Sequence, residues 1–386
     1  MKILILEWGA YTQPDIKANF RKNGVQYRSF YYHFGDKNND PYFCRHFSKY
    51  LKADTYDAVF SVNFFPLIAK VCHDCNVKYL SWSYDNPLNV PDIENTLGYE
   101  TNYVFLFDRI QAAQYQHKGY SNVYHLPLAV NPDRLSSIQL TPKEHQLFRA
   151  DISFVGKLYP STFHEILSLL DDYEKGFLES IASIQSTLYG CYVIDNLLTE
   201  TVMDQINKSI CRKTGNKEFA ISKEQLSYSM ATNITREERL ILLNLLSKRH
   251  QLNIYSYENH PLLASASYRG TADYLTDMPK VFAASRINLN ITLKILQSGM
   301  PLRVLDILGA GGFLLSNYQP ELSEYFEDGK EIALYTDVQD AVDKANFYLS
   351  HENLRQSIAQ ASQAKVFENF NYTKQLQTLF TTAGIL

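Results

Sequence analysis

The chain of 386 residues has no excess of basic charge, since 37 Lys and Arg stand against 41 Asp and Glu for a formal net charge of -4. That balance disfavours a nucleic-acid reader dominated by phosphate contacts and leaves small ligands as the expected partners. No apolar run approaches the roughly 18 residues of a membrane helix. The amino terminus, MKILILEWGAY, offers four consecutive aliphatic residues before Glu7, too few for the core of a secretory signal, so a cytoplasmic location is expected. Cysteine is scarce: five residues, an odd count without an export signal, argue for reduced thiols. Cys72 and Cys75 form CHDC, a spacing open to a redox pair or half a metal site, but no second CxxC follows to complete one. The pair closes an apolar helical stretch. The loop after the first strand lacks the Gly-x-Gly-x-x-Gly of a dinucleotide site, which argues against a nicotinamide dehydrogenase. Neither an Asp-x-Asp motif nor a His/Cys cluster with ligand spacing stands out, so catalysis without metal or cofactor is expected.

What is present is 45% hydrophobic and long enough for two domains. Short apolar runs (KILIL, QYRSF, DAVFSV, KYLSWS, NYVFLF, NVYHL) alternate with helical patterns up to about residue 125, a βαβ rhythm that predicts a parallel sheet. The pattern resets at ADISFVGKLYP. Residues 161–249 then repeat apolar positions at helical spacing with almost no strand signal, the mark of a helical insertion. Alternation returns with LNIYSY, INLNI, GFLLS and EIALY. The expected organisation is a Rossmann-like domain over 1–130, rejoined by the last helix at 367–386, a linker over 131–150, and a second Rossmann-like domain over 151–366 that includes the insertion. Two such sheets leave a cleft where strand carboxyl ends face each other, and ligands are expected there.

The segment INLNITLKILQSGMPLRVLDILGAGGFLLSNY concentrates the chemistry. Pro301 suits the first turn of a helix, whose unpaired N–H groups attract phosphate. Arg303 in that turn could add bidentate hydrogen bonds, with Lys294 in the preceding loop as a second phosphate candidate. Asp306 follows Arg303 by three residues, so guanidinium and carboxylate share one face. A nucleoside diphosphate needs both features, an anion site and an acceptor for ribose hydroxyls. Gly309, Gly311 and Gly312 permit a tight exit and close approach of backbone to ligand. The same residues also fit an i,i+3 surface pair followed by a plain helix stop.

These motifs resemble a known family. RINLNIT, PLRVLDILGAGGFLLSNYQPELSEYFEDGKEIALY and LSHENLRQSIA are similar to the carboxyl-terminal domain of the spore-maturation-protein-like glycosyltransferases of the GT-B superfamily. YDAVFSVNFFP, KYLSWSYDNP, TNYVFLFDR and NVYHLPLAVNPDRL resemble the domain that often precedes it. The resemblance implies an α/β GT-B fold that binds a nucleotide sugar mainly through the second domain and a carbohydrate or glycoconjugate acceptor through the first. It implies that Asp306 matches the carboxylate that holds the ribose. Relatives often carry a Glu eight positions upstream, contacting the donor sugar; Ser298 stands there, a departure that leaves donor and stereochemical outcome open.

An inverting transfer needs a general base near the acceptor hydroxyl. Asp85 in SWSYDNP follows a buried strand and is the candidate, though it also fits a turn cap. Asp108 reads as a helix N-cap and His33 as a packed ring among aromatics. Trp8 and Tyr11 could form an acceptor-side wall. The expected activity is metal-independent glycosyl transfer from a nucleotide-diphosphate donor. A non-catalytic scaffold subunit and a nucleotide-sugar epimerase are the competing readings, with a partner transferase or a homo-oligomer left open.

Overall fold

The computed structural model describes residues 1–88, 90, 93–216 and 218–386. By contact the chain divides into two units: Met1–Ser137 with Gly299–Gly309 and Gln363–Leu386, and Ile138–Ser298 with Ala310–Ser362.

In the first unit, strands β1 (Lys2–Glu7), β2 (Gln26–Tyr31), β3 (Ala58–Val62), β4 (Lys78–Ser83), β5 (Asn102–Leu106) and β6 (Val123–His125) alternate with helices α1 (Gln13–Lys22), α2 (Pro41–Lys52), α3 (Pro66–Asp74), α4 (Glu94–Leu97), α5 (Arg109–His117) and α6 (Pro132–Ser136). All six strands run parallel in the order β2-β1-β3-β4-β5-β6. β3 is buried throughout and β4 nearly so, as strands covered on both faces must be. Helix starts are written locally: Asp40, Asp108 and Asn131 cap α2, α5 and α6 with their side chains, and Pro opens α2, α3 and α6. Strand order reverses between β1 and β3. In open parallel sheets ligands bind beyond the carboxyl ends at such a switch point.

The second unit opens with α7 (Pro142–Phe148) and β7 (Ile152–Val155). The helical insertion follows as α8 (Phe163–Ser168), α9 (Asp172–Thr187), α10 (Ile194–Leu197), α11 (Glu200–Thr214) and α12 (Lys223–Ser247). Next come β8 (Leu252–Tyr255), β9 (Ser267–Tyr268), α13 (Met278–Ala284) and β10 (Ile287–Asn290). The chain passes through α14 (Leu302–Gly309) in the first unit, then β11 (Leu314–Asn317), α15 (Pro320–Tyr325), β12 (Ala333–Tyr335), α16 (Val338–Ser350), α17 (Glu352–Asn369) and α18 (Tyr372–Thr382), which lies in the first unit. This sheet is also parallel, ordered β12-β11-β10-β7-β8-β9, with its switch between β7 and β10.

The two asparagines of INLNI sit in a central strand and are satisfied there. Asn288 Oδ1 accepts from Ser153 Oγ (2.7 Å) and its amide donates to Phe282 O (3.0 Å); Asn290 donates to Ser316 Oγ (2.9 Å). Buried polar groups are tolerated where every donor finds a partner. The insertion has a core of its own, including Leu178, Ile206, Leu226 and Met230. The carboxyl half of α12 instead enters the core of the sheet through Leu242, Leu243 and Leu246.

The stretch 131–150, expected as a linker, contains α6 and α7. The short α4, α15 and β9 were not foreseen: four, six and two residues are too few to display a period. Among the described residues no helix is long and apolar enough to cross a membrane.

At α7, Thr141 and Glu144 form a reciprocal capping box, and Glu144 also pairs with Lys280. The Lys280 ammonium and the Thr141 hydrogen bonds pull the Glu144 carboxyl down to about 2 from the usual 4.5. A depressed acid contributes stability that is complete above its unfolded value and is lost as pH falls through its folded value. Chemical denaturation of Glu144→Gln between pH 5 and pH 2 should therefore show a flatter acid dependence than the parent chain.

Candidate active site

In the first unit the site grows from the seating of α14. Gly299 N–H donates to Asp108 Oδ2 at 3.2 Å, while Asp108 Oδ1 caps α5 through Gln111 N–H at 3.0 Å. A Cβ at Gly299 would lie 2.9 Å from both Asp108 Cα and Phe107 O. Only glycine permits that approach. At the far end a Cβ on Gly309 would fall 2.6 Å from Leu135 Cδ1, and Gln363 Nε2 donates to Gly309 O at 3.0 Å.

Between these anchors, Arg303 Nη1 lies 3.6 Å from Asp306 Oδ2; Asp306 is buried and the Arg303 side chain partly exposed. Tyr84 follows β4. Its hydroxyl is 3.3 Å from Tyr372 Oη and is held far above the usual phenol range, chiefly by burial, with Asp15, Asp306 and Tyr11 adding negative potential. Asp15 is itself gripped by Arg134 (Nη2 to Oδ2, 2.7 Å) and by Asn131 Nδ2 (2.9 Å).

Trp8 stands at the switch point, its Nε1 donating to Val62 O at 2.9 Å across the ends of β1 and β3. Lys37 Nζ sits 5.2 Å from its ring centre. Tyr11 is 61% exposed and so presents its ring outward. Asp85 is exposed and accepts from Asn63 Nδ2 at 2.6 Å. His33 is exposed, not packed, because it points away from the ring cluster of Phe30, Tyr32, Phe34 and Phe43.

In the second unit, the switch point is braced by Arg239 on α12. Its guanidinium donates to Lys157 O after β7 and Ile291 O after β10, and lies 4.6 Å from the Tyr159 ring centre and 5.2 Å from that of Phe154. Next to it, Lys294 Nζ pairs with Glu238 Oε2 at 3.0 Å, donates to Leu188 O at 3.3 Å and sits 3.7 Å from the Tyr189 ring centre. Tyr189 Oη donates to Glu238 Oε1 at 2.9 Å, and its hydroxyl is raised beyond the usual range by burial and by the Glu238 charge. Ser298 Oγ donates to Glu321 Oε1 at 2.8 Å, both residues buried. Gly311 adopts φ +75°, the left-handed conformation of a helix exit, and Gly312 is buried behind it.

Asn63, Tyr84, Glu238, Arg239, Gly299 and Glu321 were not singled out from the sequence. Each acts through a partner distant in the chain, and only Gly299, beside Pro301, had a local signal. Cys72 is buried, which raises its thiol well above the ordinary value, and Cys75 follows α3 with Sγ 3.5 Å from Ser48 Oγ. Among the described residues no three His, Cys, Asp or Glu side chains cluster as metal ligands would.

Two parallel sheets of this kind define the GT-B fold of glycosyltransferases. Residues 236–381 match a family described as glycosyl transferase-like. Solved structures share the fold over essentially the whole chain. A glycosyltransferase from Rickettsia africae matches with a TM-score of 0.57 at 10% identity, over 99% of this chain and 97% of that one. Anabaena HepE, solved with UDP-glucose, matches at 0.55 and 12% over 100% of both chains. Sucrose-phosphate synthase from Thermosynechococcus elongatus matches at 0.57 and 11% over 99% and 98%. No curated protein matches in sequence.

Gly299→Ala tests the seating of α14. The added methyl meets main-chain atoms that cannot move aside, and overpacking of that kind costs roughly 1–3 kcal/mol. Urea unfolding should show a loss in that range, whereas a midpoint equal to the parent would mean that the loop before α14 adjusts without cost.

Proposed function

We propose that this protein is a glycosyltransferase that moves a sugar from a nucleotide-diphosphate donor to a carbohydrate, protein or small-molecule acceptor, on the spore-maturation-protein-like branch of the GT-B enzymes. The observation that carries the reading is that the glycosyl transferase-like match spans the helix on which Arg303 and Asp306 stand side by side.

In this reading Asp306 accepts from the ribose hydroxyls and Arg303 faces the diphosphate. As the bond to the anomeric carbon breaks, negative charge grows on the leaving diphosphate, and a preorganised guanidinium lowers the barrier by stabilising that charge. Lys294, Ser298, Gly311 and Gly312, in the second unit, are the further nucleotide-sugar candidates of the sequence reading. The Lys294 ammonium already has three partners, so a phosphate must displace one of them. Trp8 and Tyr11 offer ring faces to the acceptor, and Asp85 is the candidate base of an inverting, metal-independent transfer. Because HepE was solved with UDP-glucose, UDP-sugars are the first donors to try.

Release of nucleotide from a panel of UDP-, GDP-, ADP- and dTDP-sugars, with simple glycosides as acceptors, tests the reading. Silence across the panel, with no nucleotide bound in calorimetry, overturns it; binding without turnover points to a binding subunit instead. For the nucleotide that binds, Asp306→Ala should raise Kd about 10- to 100-fold, since hydrogen bonds to a charged group contribute roughly 1.5–3 kcal/mol. Arg303→Ala should lower turnover with little change in Tm. Unchanged values in both variants would reduce the two residues to a surface ion pair.

A further inference from the structure

Asn63, the residue immediately after β3, has φ +65°. A residue other than glycine in that left-handed region is uncommon, and such residues gather where surrounding contacts hold them. Here the contacts are those of its own amide with the end of the adjacent strand. Asn63 Oδ1 accepts Tyr84 N–H at 2.8 Å and Asp85 N–H at 3.2 Å, and Asn63 Nδ2 donates to Asp85 Oδ2 at 2.6 Å. Its backbone N–H donates to Trp82 O at 3.0 Å. The side chain is thus committed to one turn and, within it, to one carboxylate.

That carboxylate is exposed, and among the described residues its second oxygen, Oδ1, has no hydrogen-bond partner. The pair lies beyond the carboxyl ends of β3 and β4, next to the β1/β3 switch point where Trp8 meets Val62 O. Tyr84, the residue before Asp85, feels the charge of Asp306 on α14. A carboxylate held through one oxygen and open at the other, at a sheet's ligand-binding edge, has the form of a base fixed in aim with its working atom bare.

We propose that Asn63 is a positioning residue for Asp85 as general base, an inference that rests on the transferase reading above. In the step it serves, the acceptor hydroxyl gives its proton to Asp85 Oδ1 while its oxygen bonds to the anomeric carbon. The bond from that carbon to the diphosphate oxygen breaks, and its electron pair leaves with the nucleoside diphosphate. Asn63 Nδ2 holds Oδ2 throughout, so the carboxylate cannot rotate away from the acceptor.

The test compares Asn63→Gly, Asp85→Asn and the double variant, using UDP release from UDP-glucose, or from whichever panel donor turns over, with p-nitrophenyl glycosides as acceptors. Glycine accepts φ +65° without strain, so Asn63→Gly removes the amide and keeps the backbone. Asp85→Asn should lower kcat about 10²- to 10⁴-fold, the usual contribution of a general base, and Asn63→Gly about tenfold or more, both with UDP affinity unchanged. The deciding readout is the double variant. If Asn63 acts through Asp85, it should be no slower than Asp85→Asn within about twofold; multiplied losses would mark an independent structural role and overturn the proposal. Should Asn63→Gly misfold by circular dichroism, Asn63→Asp serves in its place, because it tolerates the left-handed backbone and keeps an acceptor for the two N–H groups; it replaces the donor to Asp85 with a second negative charge, so turnover should fall at least as far as in Asn63→Gly. An Asp85→Asn enzyme as fast as the parent also overturns the proposal while leaving the transferase reading intact. A parent chain silent with every donor fails that reading first, and the inference falls with it.

Discussion

The arrangement of Arg303 and Asp306 depends on one close approach, that of Gly299 to the turn at Phe107 and Asp108. A buried carboxylate there does two tasks, capping α5 with one oxygen and receiving the Gly299 N–H with the other. The distance leaves no room for a Cβ. Because α14 is only eight residues long, an error in its entry would pass almost undiminished to both side chains. At its other end Gly309 lies against Val130 and Leu135, where a Cβ would press on the Leu135 side chain.

Two parallel sheets with reversals at β1/β3 and β7/β10 place different chemistry at equivalent positions. The first unit's switch is lined by an indole, an amide and an exposed acid, groups suited to hydroxyls and ring faces. The second unit's switch is closed by a buried guanidinium, beside a lysine that Glu238 neutralises. Burying such charges is costly unless they find partners: Lys294 is paired with Glu238, and Arg239 gives two of its donors to peptide carbonyls while its Nε has no hydrogen-bond partner among the described residues.

Much of this was legible in the sequence. The alternation of apolar runs and helical periods identified the strands of both sheets except β9, the long insertion and the parallel arrangement, because period and burial are local properties. The Pro-Leu-Arg start and the Arg303/Asp306 spacing located α14. What the sequence withheld was pairing at a distance. Nothing local ties Glu238 to Lys294, 56 positions later, or Ser298 to Glu321, and an asparagine after a strand does not announce φ +65°. Residues 131–150 read as a plain linker because α6 and α7 are five and seven residues long, shorter than a periodic signal requires. His33 was misjudged because neighbouring aromatics in sequence need not share a face in space.

Arg239 reaches from the inserted helices to the main chain of two strand ends, and both of its acceptors are peptide carbonyls. Every amino acid has such a carbonyl. The exposed side chain at position 157 can therefore change while the strut that keeps the two strand ends at fixed spacing stays in force, whereas Ile291, buried in the core, answers to its packing as well.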